Sequence, residues 1–148
     1  LTKDGKPFRV LKFRSMIADA EKDGKPRLAG EDDDRITPVG KFLRKCRLDE
    51  LPQLYNVLRG DMAFIGPRPE RKFYIDQILE HDARYTYLYQ IRPGVTSYAT
   101  LYNGYTDTME KMLRRLEYDL YYLGHRSWLF DFKILLNTFC SNVFGKKF

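Results

Sequence analysis

The amino-acid sequence predicts an α+β fold that is predominantly helical. Apolar residues recur at helical spacing over five stretches, whereas only residues 8–16 and 62–65 read as short strands. Glycine and proline stand at the borders between these stretches. Hydrophobic residues make up 43% of the chain, which is enough to bury a core. We therefore expect residues 1–148 to form one domain.

The two predicted strands differ in what they could do. Lys12 and Arg14 would stand on one face of a strand over residues 8–16, roughly 6.6 Å apart, where they could straddle a diphosphate. A solvated strand face explains the same pattern equally well. The second strand, residues 62–65, is short and apolar and follows Gly60, a residue that suits the end of a helix.

The predicted helices begin and end at recognisable residues. Thr37 suits an N-cap, and Pro38 suits the first helical position. Arg92-Pro93-Gly94 stops a long helix, because a residue before proline avoids helical geometry. The sequence predicts helices over about residues 38–46, 49–59, 70–91, 108–123 and 128–144.

Charge and cysteine content narrow the function classes. The formal net charge of +6 favours an anionic partner, which could be a nucleic acid, a nucleotide, a phosphorylated lipid or a membrane surface. Two cysteines and two histidines provide neither a disulfide framework nor a spaced zinc site. No apolar run approaches the roughly 18 residues that span a bilayer. Because the chain begins at Leu1, we expect it to be part of a longer protein.

The adjacent carboxylates of Asp49 and Glu50, in "LDELPQL", raise a choice between a helix cap and a reactive site. If Asp49 is the N-cap, Pro52 occupies the third helical position and offers it no N–H, so the carboxylate is less occupied than a usual cap. Basic neighbours keep both groups ionised. An ionised Asp can attack phosphorus, and an ionised Glu is a hard ligand for Mg²⁺. These seven residues alone favour the plain cap.

Arg68 lies between two prolines in Gly66-Pro-Arg-Pro69. Pro69 pushes its backbone toward extended geometry, so the arginine should stand on a stiff, non-helical stalk. A guanidinium group in that position suits a phosphate or a pyrophosphate. A surface turn with an incidental arginine explains the motif as well.

Two other stretches invite functional explanations that we consider weaker. The acidic run from Glu31 to Asp34 resembles the Asp-x-Asp metal site of nucleotide-sugar glycosyltransferases, but such runs are more typical of solvated loops. The last helix carries an apolar stripe that favours core packing, with an interfacial membrane helix as the alternative. The stripe consists of Trp128, Phe132, Leu135, Leu136, Phe139 and Val143.

Three motifs in order, "KFRSM", "DDRITPVGKFLRKCRLDELPQLYNVLRGDMAFIGPRP" and "RPGVT", closely resemble the bacterial sugar transferase family. Its members are polyprenyl-phosphate glycosyl-1-phosphate transferases, also called monotopic phosphoglycosyl transferases. The resemblance covers essentially the whole chain and is densest from Asp34 to Pro69. It implies transfer of a sugar-1-phosphate from a UDP-sugar to undecaprenyl phosphate, which starts assembly of capsule, O-antigen, exopolysaccharide or glycoprotein glycans.

The resemblance also implies roles for individual residues and a location. The Asp of the Asp-Glu pair is the nucleophile that forms a covalent phosphosugar intermediate, and the Glu binds Mg²⁺. The enzyme would work at the cytoplasmic face of the bacterial inner membrane. Carried onto this sequence, these implications give Asp49 as nucleophile, Glu50 as metal ligand, Arg44 and Arg68 as phosphate or nucleotide contacts, and Lys12 and Arg14 as a basic substrate-binding motif.

Two departures from the family pattern affect the expectations. The family begins with a re-entrant membrane helix that this sequence lacks, so we expect the catalytic part of a longer protein. Ser97-Tyr98-Ala99-Thr100 replaces the usual residues after "RPGVT". A conventional nucleotide-sugar glycosyltransferase and a basic nucleic-acid-binding module are the alternatives. Because the basic residues cluster near the carboxylate pair, we expect no nucleic-acid partner; a homo-oligomer stays open.

Overall fold

The computed structural model describes residues 2–20, 33–104 and 106–144, and the predicted fold class is confirmed there. Helices dominate, and two short strands form one sheet. The elements are α1 (Pro38–Lys45), α2 (Gln53–Arg59), β1 (Ala63–Ile65), α3 (Lys72–His81), β2 (Gly94–Thr96), α4 (Tyr98–Tyr102), α5 (Met109–His125) and α6 (Trp128–Phe144), with 3₁₀ segments at Lys3–Gly5, Leu48–Glu50 and Ala83–Gln90.

The sheet pairs β1 with β2 in parallel, with Ala63 opposite Gly94. The predicted strand at residues 62–65 is confirmed, whereas β2 was not predicted. A Cβ atom on Gly66 would lie 2.4 Å from the Arg92 carbonyl oxygen, so only glycine permits the two backbones to approach this closely. The sheet therefore fixes the chain just before the Gly66-Pro-Arg-Pro69 stretch.

The predicted strand over residues 8–16 is wrong. In the described part of the chain these residues pair with no other strand. Met16 forms one isolated antiparallel bridge with Ile36, and the side chain of Asn56 bonds to the backbone earlier in the segment. The Asn56 amide accepts a hydrogen bond from Leu11 N at 3.0 Å and donates one to Arg9 O at 2.9 Å. A side-chain amide can satisfy the backbone groups that a neighbouring strand would otherwise pair, so the segment stays extended without belonging to a sheet.

The predicted helix over residues 49–59 is divided. Residues Leu48–Glu50 form a 3₁₀ turn, and α2 begins only at Gln53, directly after Pro52. Gly60 ends α2 in the left-handed conformation, as the sequence indicated. The consequence is that Asp49 is not the N-cap of a helix, and that prediction is also wrong.

The predicted helix over residues 70–91 breaks at Asp82. This residue is extended, and its carboxylate accepts a hydrogen bond from Arg84 N at 2.9 Å, which starts a separate 3₁₀ segment. An aspartate can cap a new turn in this way even inside an apolar stretch. By contrast, the predicted helices over residues 38–46, 108–123 and 128–144 match α1, α5 and α6 closely.

The main hydrophobic core lies between α3, the 3₁₀ segment Ala83–Gln90 and α5. One face of each of these elements is buried, as the amphipathic pattern of the sequence requires. The buried members are Tyr74, Ile75, Ile78, Tyr85, Leu88, Met112 and Leu116.

The apolar face of α6 is largely exposed, so the prediction that it packs into the core is wrong for most of its stripe. Ile134 is buried, and Thr138 Oγ1 lies 2.9 Å from Thr96 Oγ1, which attaches the helix to β2. No helix among the described residues is long and apolar enough to cross a membrane. The exposed residues of the predicted stripe are Trp128, Phe132, Leu135, Leu136 and Phe139, and Leu129 next to them is exposed as well. The side chain of Val143, the remaining member of the stripe, lies outside the described part of the structure.

Candidate active site

Asp49 and Glu50 follow a sharp reversal of the chain at Arg47. Arg47 has φ 53° and ψ 20°, the left-handed conformation, which is uncommon for a residue other than glycine. This conformation costs on the order of 1–2 kcal/mol. The reversal ends the turn that follows α1 and places the Asp-Glu pair in the 3₁₀ segment beside it.

The Asp49 carboxylate forms no hydrogen bond or ion pair with the described residues. The residue is 8% exposed, and within the described part of the chain its side chain accepts no hydrogen bond. Its backbone carbonyl accepts a hydrogen bond from Phe13 N at 3.0 Å, which holds the extended segment against the pair. Since the carboxylate neither caps a helix nor joins an ion pair, it is available to a substrate.

The Glu50 carboxylate, in contrast, is surrounded by positively charged side chains. Its Oε1 atom lies 3.0 Å from Lys12 Nζ and 3.4 Å from Arg68 Nη2, and the side chain is 13% exposed. Burial opposes ionisation, but Arg68, Lys12 and Arg47 together hold the pKa of Glu50 below its ordinary value. Glu50 is therefore ionised at neutral pH.

Lys12 reaches Glu50 because Asn56 holds the preceding residues. Asn56 is 1% exposed, and its amide fixes the backbone at Arg9 and Leu11. Burial and the charge of Arg68 lower the pKa of Lys12 more than Glu50 raises it. Sequence reasoning did not select Asn56, although a polar amide within the apolar pattern of α2 was a signal.

Arg14 and Arg44 occupy different surroundings. Arg14 is exposed and forms no hydrogen bond or ion pair with the described residues. Arg44 Nε donates a hydrogen bond to Ser15 Oγ at 2.8 Å. A Cβ atom on Gly40 would lie 1.9 Å from Ser15 O, so α1 packs directly on the backbone of the extended segment. This contact sets Arg44 beside the segment that carries Lys12.

Arg68 is aimed at Glu50 by backbone hydrogen bonds around it. Gly66 N donates to Thr96 O at 3.1 Å, and Gly94 N donates to Pro67 O at 2.9 Å. These bonds fasten the residues before Arg68 to β2, and Pro69 follows it. The structure thus brings Asp49, Glu50, Lys12 and Arg68 together from three distant parts of the chain.

The acidic run is only partly within the described structure. Glu31 and Asp32 lie outside the described residues. Asp33 forms a buried ion pair with Arg35, with Oδ2 and Nη2 2.6 Å apart, and Asp34 is exposed. In residues 2–20, 33–104 and 106–144 no three histidine, cysteine or acidic side chains converge as a metal-binding group.

The Asp49–Glu50 pair suits Mg²⁺ better than a metal that needs a full set of protein ligands. Magnesium is typically held by one or two carboxylates together with substrate phosphates and waters. Both ion pairs of Glu50 use Oε1, which leaves Oε2 outside them. The donor set therefore fits a magnesium ion that arrives with a diphosphate.

The family model for "Bacterial sugar transferase" matches residues 1–145. The chain belongs to this family. It is 40% identical over 136 residues to "UDP-N-acetylgalactosamine-undecaprenyl-phosphate N-acetylgalactosaminephosphotransferase" of Aeromonas hydrophila, covering 92% of this chain and 32% of that protein. It is 44% identical over 146 residues to "UDP-glucose:undecaprenyl-phosphate glucose-1-phosphate transferase" of Klebsiella pneumoniae, covering 97% of this chain and 31% of the relative.

A protein of the same name from Caulobacter vibrioides is 42% identical over 137 residues, which cover 90% of this chain and 51% of the relative. The family resemblance that the sequence motifs indicated is therefore confirmed. The chain spans about a third of the length of the Aeromonas and Klebsiella proteins. Residues 1–145, which the family model matches, include Asp49, Glu50, Lys12 and Arg68.

Proposed function

We propose that this chain is the catalytic part of a phosphoglycosyl transferase that moves a sugar-1-phosphate from a UDP-sugar to undecaprenyl phosphate. The observation that carries the proposal is the contrast between two neighbouring carboxylates. Glu50 is held by Lys12 and Arg68, whereas the carboxylate of Asp49 beside it forms no hydrogen bond or ion pair with the described residues. The activities in the names of the Aeromonas and Klebsiella relatives support the same reaction.

Asp49 acts as the nucleophile in the first half of the reaction. One carboxylate oxygen forms a bond to the phosphorus that carries the sugar, and the bond from that phosphorus to the bridging oxygen breaks. UMP leaves with the bridging oxygen and the electron pair. The product on the protein is an aspartyl-phosphosugar, a mixed anhydride that stores the energy of the diphosphate bond for the second half.

The neighbouring cations make this attack possible. A carboxylate that approaches a diphosphate meets electrostatic repulsion, and fixed positive charges stabilise the transition state most when they are already in place. Arg68 and Lys12 are positioned by Glu50, and Arg44 is positioned by Ser15. Glu50 would hold Mg²⁺, which when bound supplies further charge stabilisation at the phosphoryl oxygens.

The second half needs an anionic lipid, and the exposed apolar residues near the site suit a membrane surface. A phosphate oxygen of undecaprenyl phosphate attacks the same phosphorus and releases the Asp49 carboxylate. Val39 and Phe42 on α1 and Leu58 on α2 are exposed on the two helices that flank the Asp-Glu pair. Apolar side chains and a net positive charge favour the cytoplasmic face of the bacterial inner membrane.

The leaving product tests this proposal. The full-length protein is incubated with undecaprenyl phosphate, Mg²⁺, and UDP-glucose or UDP-N-acetylgalactosamine, and the released nucleotide is identified. We expect UMP, with activity retained in Asp34→Asn because that residue is exposed and remote in sequence from the pair. Release of UDP, or loss of activity in Asp34→Asn comparable to that in Asp49→Asn, would favour a conventional glycosyltransferase.

A further inference from the structure

A second cleft lies beside β1 and shares no lining residue with the site formed by Asp49, Glu50, Lys12 and Arg68. Its walls come from β1, from the residues just before β2, and from the junction between α5 and α6. The volume of the cleft is about 500 Å³, which is the size of a small-ligand pocket. The proposed transfer reaction gives this cleft no role.

Three basic side chains line the cleft from distant parts of the chain, namely Lys3, Arg92 and Arg126. None of these three side chains forms a hydrogen bond or an ion pair with the described residues. Among the described residues that line the cleft, the only acid is Asp131, and its Oδ1 atom already accepts a hydrogen bond from Tyr122 Oη at 2.6 Å. Three positive charges against one negative charge leave the cleft with an excess of two positive charges.

The backbone around these basic residues is held in place by the fold. Arg92 directly precedes Pro93, whose carbonyl oxygen accepts a hydrogen bond from Ala63 N at 2.8 Å. Arg126 lies in the two-residue link between α5 and α6, and Lys3 lies in the 3₁₀ turn at the beginning of the chain. Positive charges that are fixed around one cleft repel one another, and a bound anion removes that repulsion. The cleft is therefore suited to an anionic ligand.

The exposed apolar face of α6 begins at the border of this cleft. Asp131 lines the cleft from α6, and Trp128 and Leu135 lie three positions before it and four positions after it, so they are its neighbours on the helix surface. Trp128 is 77% exposed and Leu135 is 45% exposed, whereas Ile134 on the other side of Asp131 is buried. Helix α6 is thus apolar on two sides and packed on only one, so an apolar surface continues outward from the cleft.

We propose that this cleft binds the phosphate group of an anionic phospholipid, whose acyl chains lie against the apolar face of α6. Guanidinium groups such as those of Arg92 and Arg126 bind phosphate oxygens through several N–H groups at once. A soluble phosphate or an acidic peptide would neutralise the basic side chains but would leave the adjacent apolar surface exposed. A phospholipid satisfies both, because its charge and its hydrocarbon are joined. The inference goes beyond the proposed function, since this lipid is not a reactant.

Lipid binding by the full-length protein tests this inference without any measurement of turnover. The protein in a neutral detergent is titrated with dioleoyl phosphatidylglycerol or dioleoyl phosphatidylcholine, and bound lipids are counted by native mass spectrometry. We expect the wild type to bind phosphatidylglycerol at least about 10-fold more tightly than phosphatidylcholine, the effect of a charge-assisted contact. In the double variant Arg92→Gln with Arg126→Gln, this preference should fall to within about threefold.

The matched control is the double variant Arg9→Gln with Arg114→Gln. These two arginines are exposed and do not line the cleft, so the same loss of charge should leave the preference for phosphatidylglycerol unchanged. Both double variants should melt near the wild-type temperature. An equal loss of preference in the control would show that the lipid responds to the overall charge of the protein, and no preference in the wild type would show that the cleft selects no anionic lipid. Either result would overturn the inference.

A second pair of measurements separates a lipid from a soluble ligand. Trp128→Gln with Leu135→Gln should weaken phosphatidylglycerol binding by about 10-fold through the loss of apolar contact, and should leave the weak binding of glycerol 1-phosphate unchanged. Glycerol 1-phosphate that binds as tightly as phosphatidylglycerol would assign the cleft to a soluble phosphate ester. A wild-type dimer that dissociates in this variant would assign the α6 face to a second copy of the chain. Each of these two results would overturn the inference and leave the proposed function standing.

Discussion

The active-site corner, formed by Asp49, Glu50, Lys12 and Arg68, and the hydrophobic core between α3 and α5 each contain a carboxylate near Arg68. The pKa values of these two carboxylates are shifted in opposite directions. Glu50 contacts Lys12 and Arg68, and its pKa is lowered. Asp119 lies in the core with a buried oxygen that has no hydrogen-bond partner among the described residues, and its pKa is raised to about 7. Burial opposes ionisation in both places, so burial alone does not explain the difference.

The number of compensating cations explains it. Glu50 is surrounded by three positive side chains, whereas Asp119 is influenced by Arg115 and by the opposing charge of Glu70. A partly buried acid stays charged when several cations face it, and becomes neutral near pH 7 when they do not. This difference agrees with the proposal that the corner, and not the core, binds a diphosphate and a metal ion.

The largest expected effect comes from Asp49, the carboxylate of the corner that forms no ion pair with the described residues. Asp49→Asn should lower sugar-phosphate transfer by at least about 10³-fold, as the removal of a nucleophile typically does. Its melting temperature should stay near that of the wild type, because the side chain makes no described hydrogen bond. Asp76→Asn, at an exposed ion pair on α3, is the control for a change of charge alone.

If Asp49→Asn kept more than about a tenth of the activity, the corner would lack the nucleophile that this comparison assigns to it. A melting temperature that fell together with the activity would instead show that Asp49 supports the fold. Activity and thermal unfolding measured on the same preparation separate the two results.

Asp119 should make the free energy of unfolding depend on pH. Its pKa is about 7 in the folded protein and about 3.8 when unperturbed, so the folded state binds more protons between these values. The contribution of this group to the free energy of unfolding therefore falls as pH rises through that window. The free energy of unfolding of Asp119→Asn should therefore increase relative to that of the wild type by about 1.4 kcal/mol for each pH unit between about 5 and 7.

Urea unfolding of both proteins at pH 5, 6, 7 and 8 measures this gain. Glu50→Gln should show no such slope between pH 5 and 8, because the pKa of Glu50 is lowered from an ordinary value of 4.5 and its pH-dependent contribution to stability is lost only at more acidic pH. Parallel pH profiles for Asp119→Asn and the wild type would contradict the assignment of Asp119 as the neutral acid of the core.

The packing of α1 against the extended segment should respond to a single methyl group. Gly40→Ala places a Cβ atom where the Ser15 carbonyl oxygen lies, and it should destabilise the protein by about 1–3 kcal/mol. Gly124→Ala on α5 meets no atom within 4 Å, so it should be neutral or stabilise by up to about 1 kcal/mol. Equal effects on the two melting temperatures would remove the close contact at α1 from the account.

The smallest expected effect concerns two lysine–carboxylate pairs. Lys12→Met removes a cation from Glu50 and should lower kcat/KM for the UDP-sugar by about 10-fold. Lys72→Met removes an exposed i,i+4 pair with Asp76 and should change kcat/KM by less than about twofold, since such pairs contribute little. A similar loss in both variants would mean that Lys12 acts through the overall charge of the protein and not through Glu50.

Local signals in the sequence were sufficient for much of the fold. Thr37 accepts a hydrogen bond from Gly40 N at 3.0 Å, so the predicted cap of α1 is present. The predicted boundaries of α6 agree with the structure because they depend on spacing within one stretch. The family was also recognisable, since its motifs are contiguous.

The remaining features depend on contacts between distant residues. The extended segment was predicted as a strand because its residues suit one, and only the position of Asn56, 45 residues after Leu11, shows why it is not. The left-handed Arg47 likewise follows from packing, since nothing in its residue type favours that conformation. The pair of Arg115 with Glu70 joins residues 45 positions apart. Such pairings cannot be read from periodicity or capping signals.

The covalent intermediate on Asp49 is the central claim, and intact-mass measurement tests it most directly. The full-length protein is incubated with Mg²⁺ and UDP-glucose or UDP-N-acetylgalactosamine, without undecaprenyl phosphate. We expect a mass increase equal to one sugar phosphate, which disappears on addition of undecaprenyl phosphate and never forms in Asp49→Asn. Turnover in the complete reaction with no such mass increase, or an equal increase in Asp49→Asn, would contradict the account.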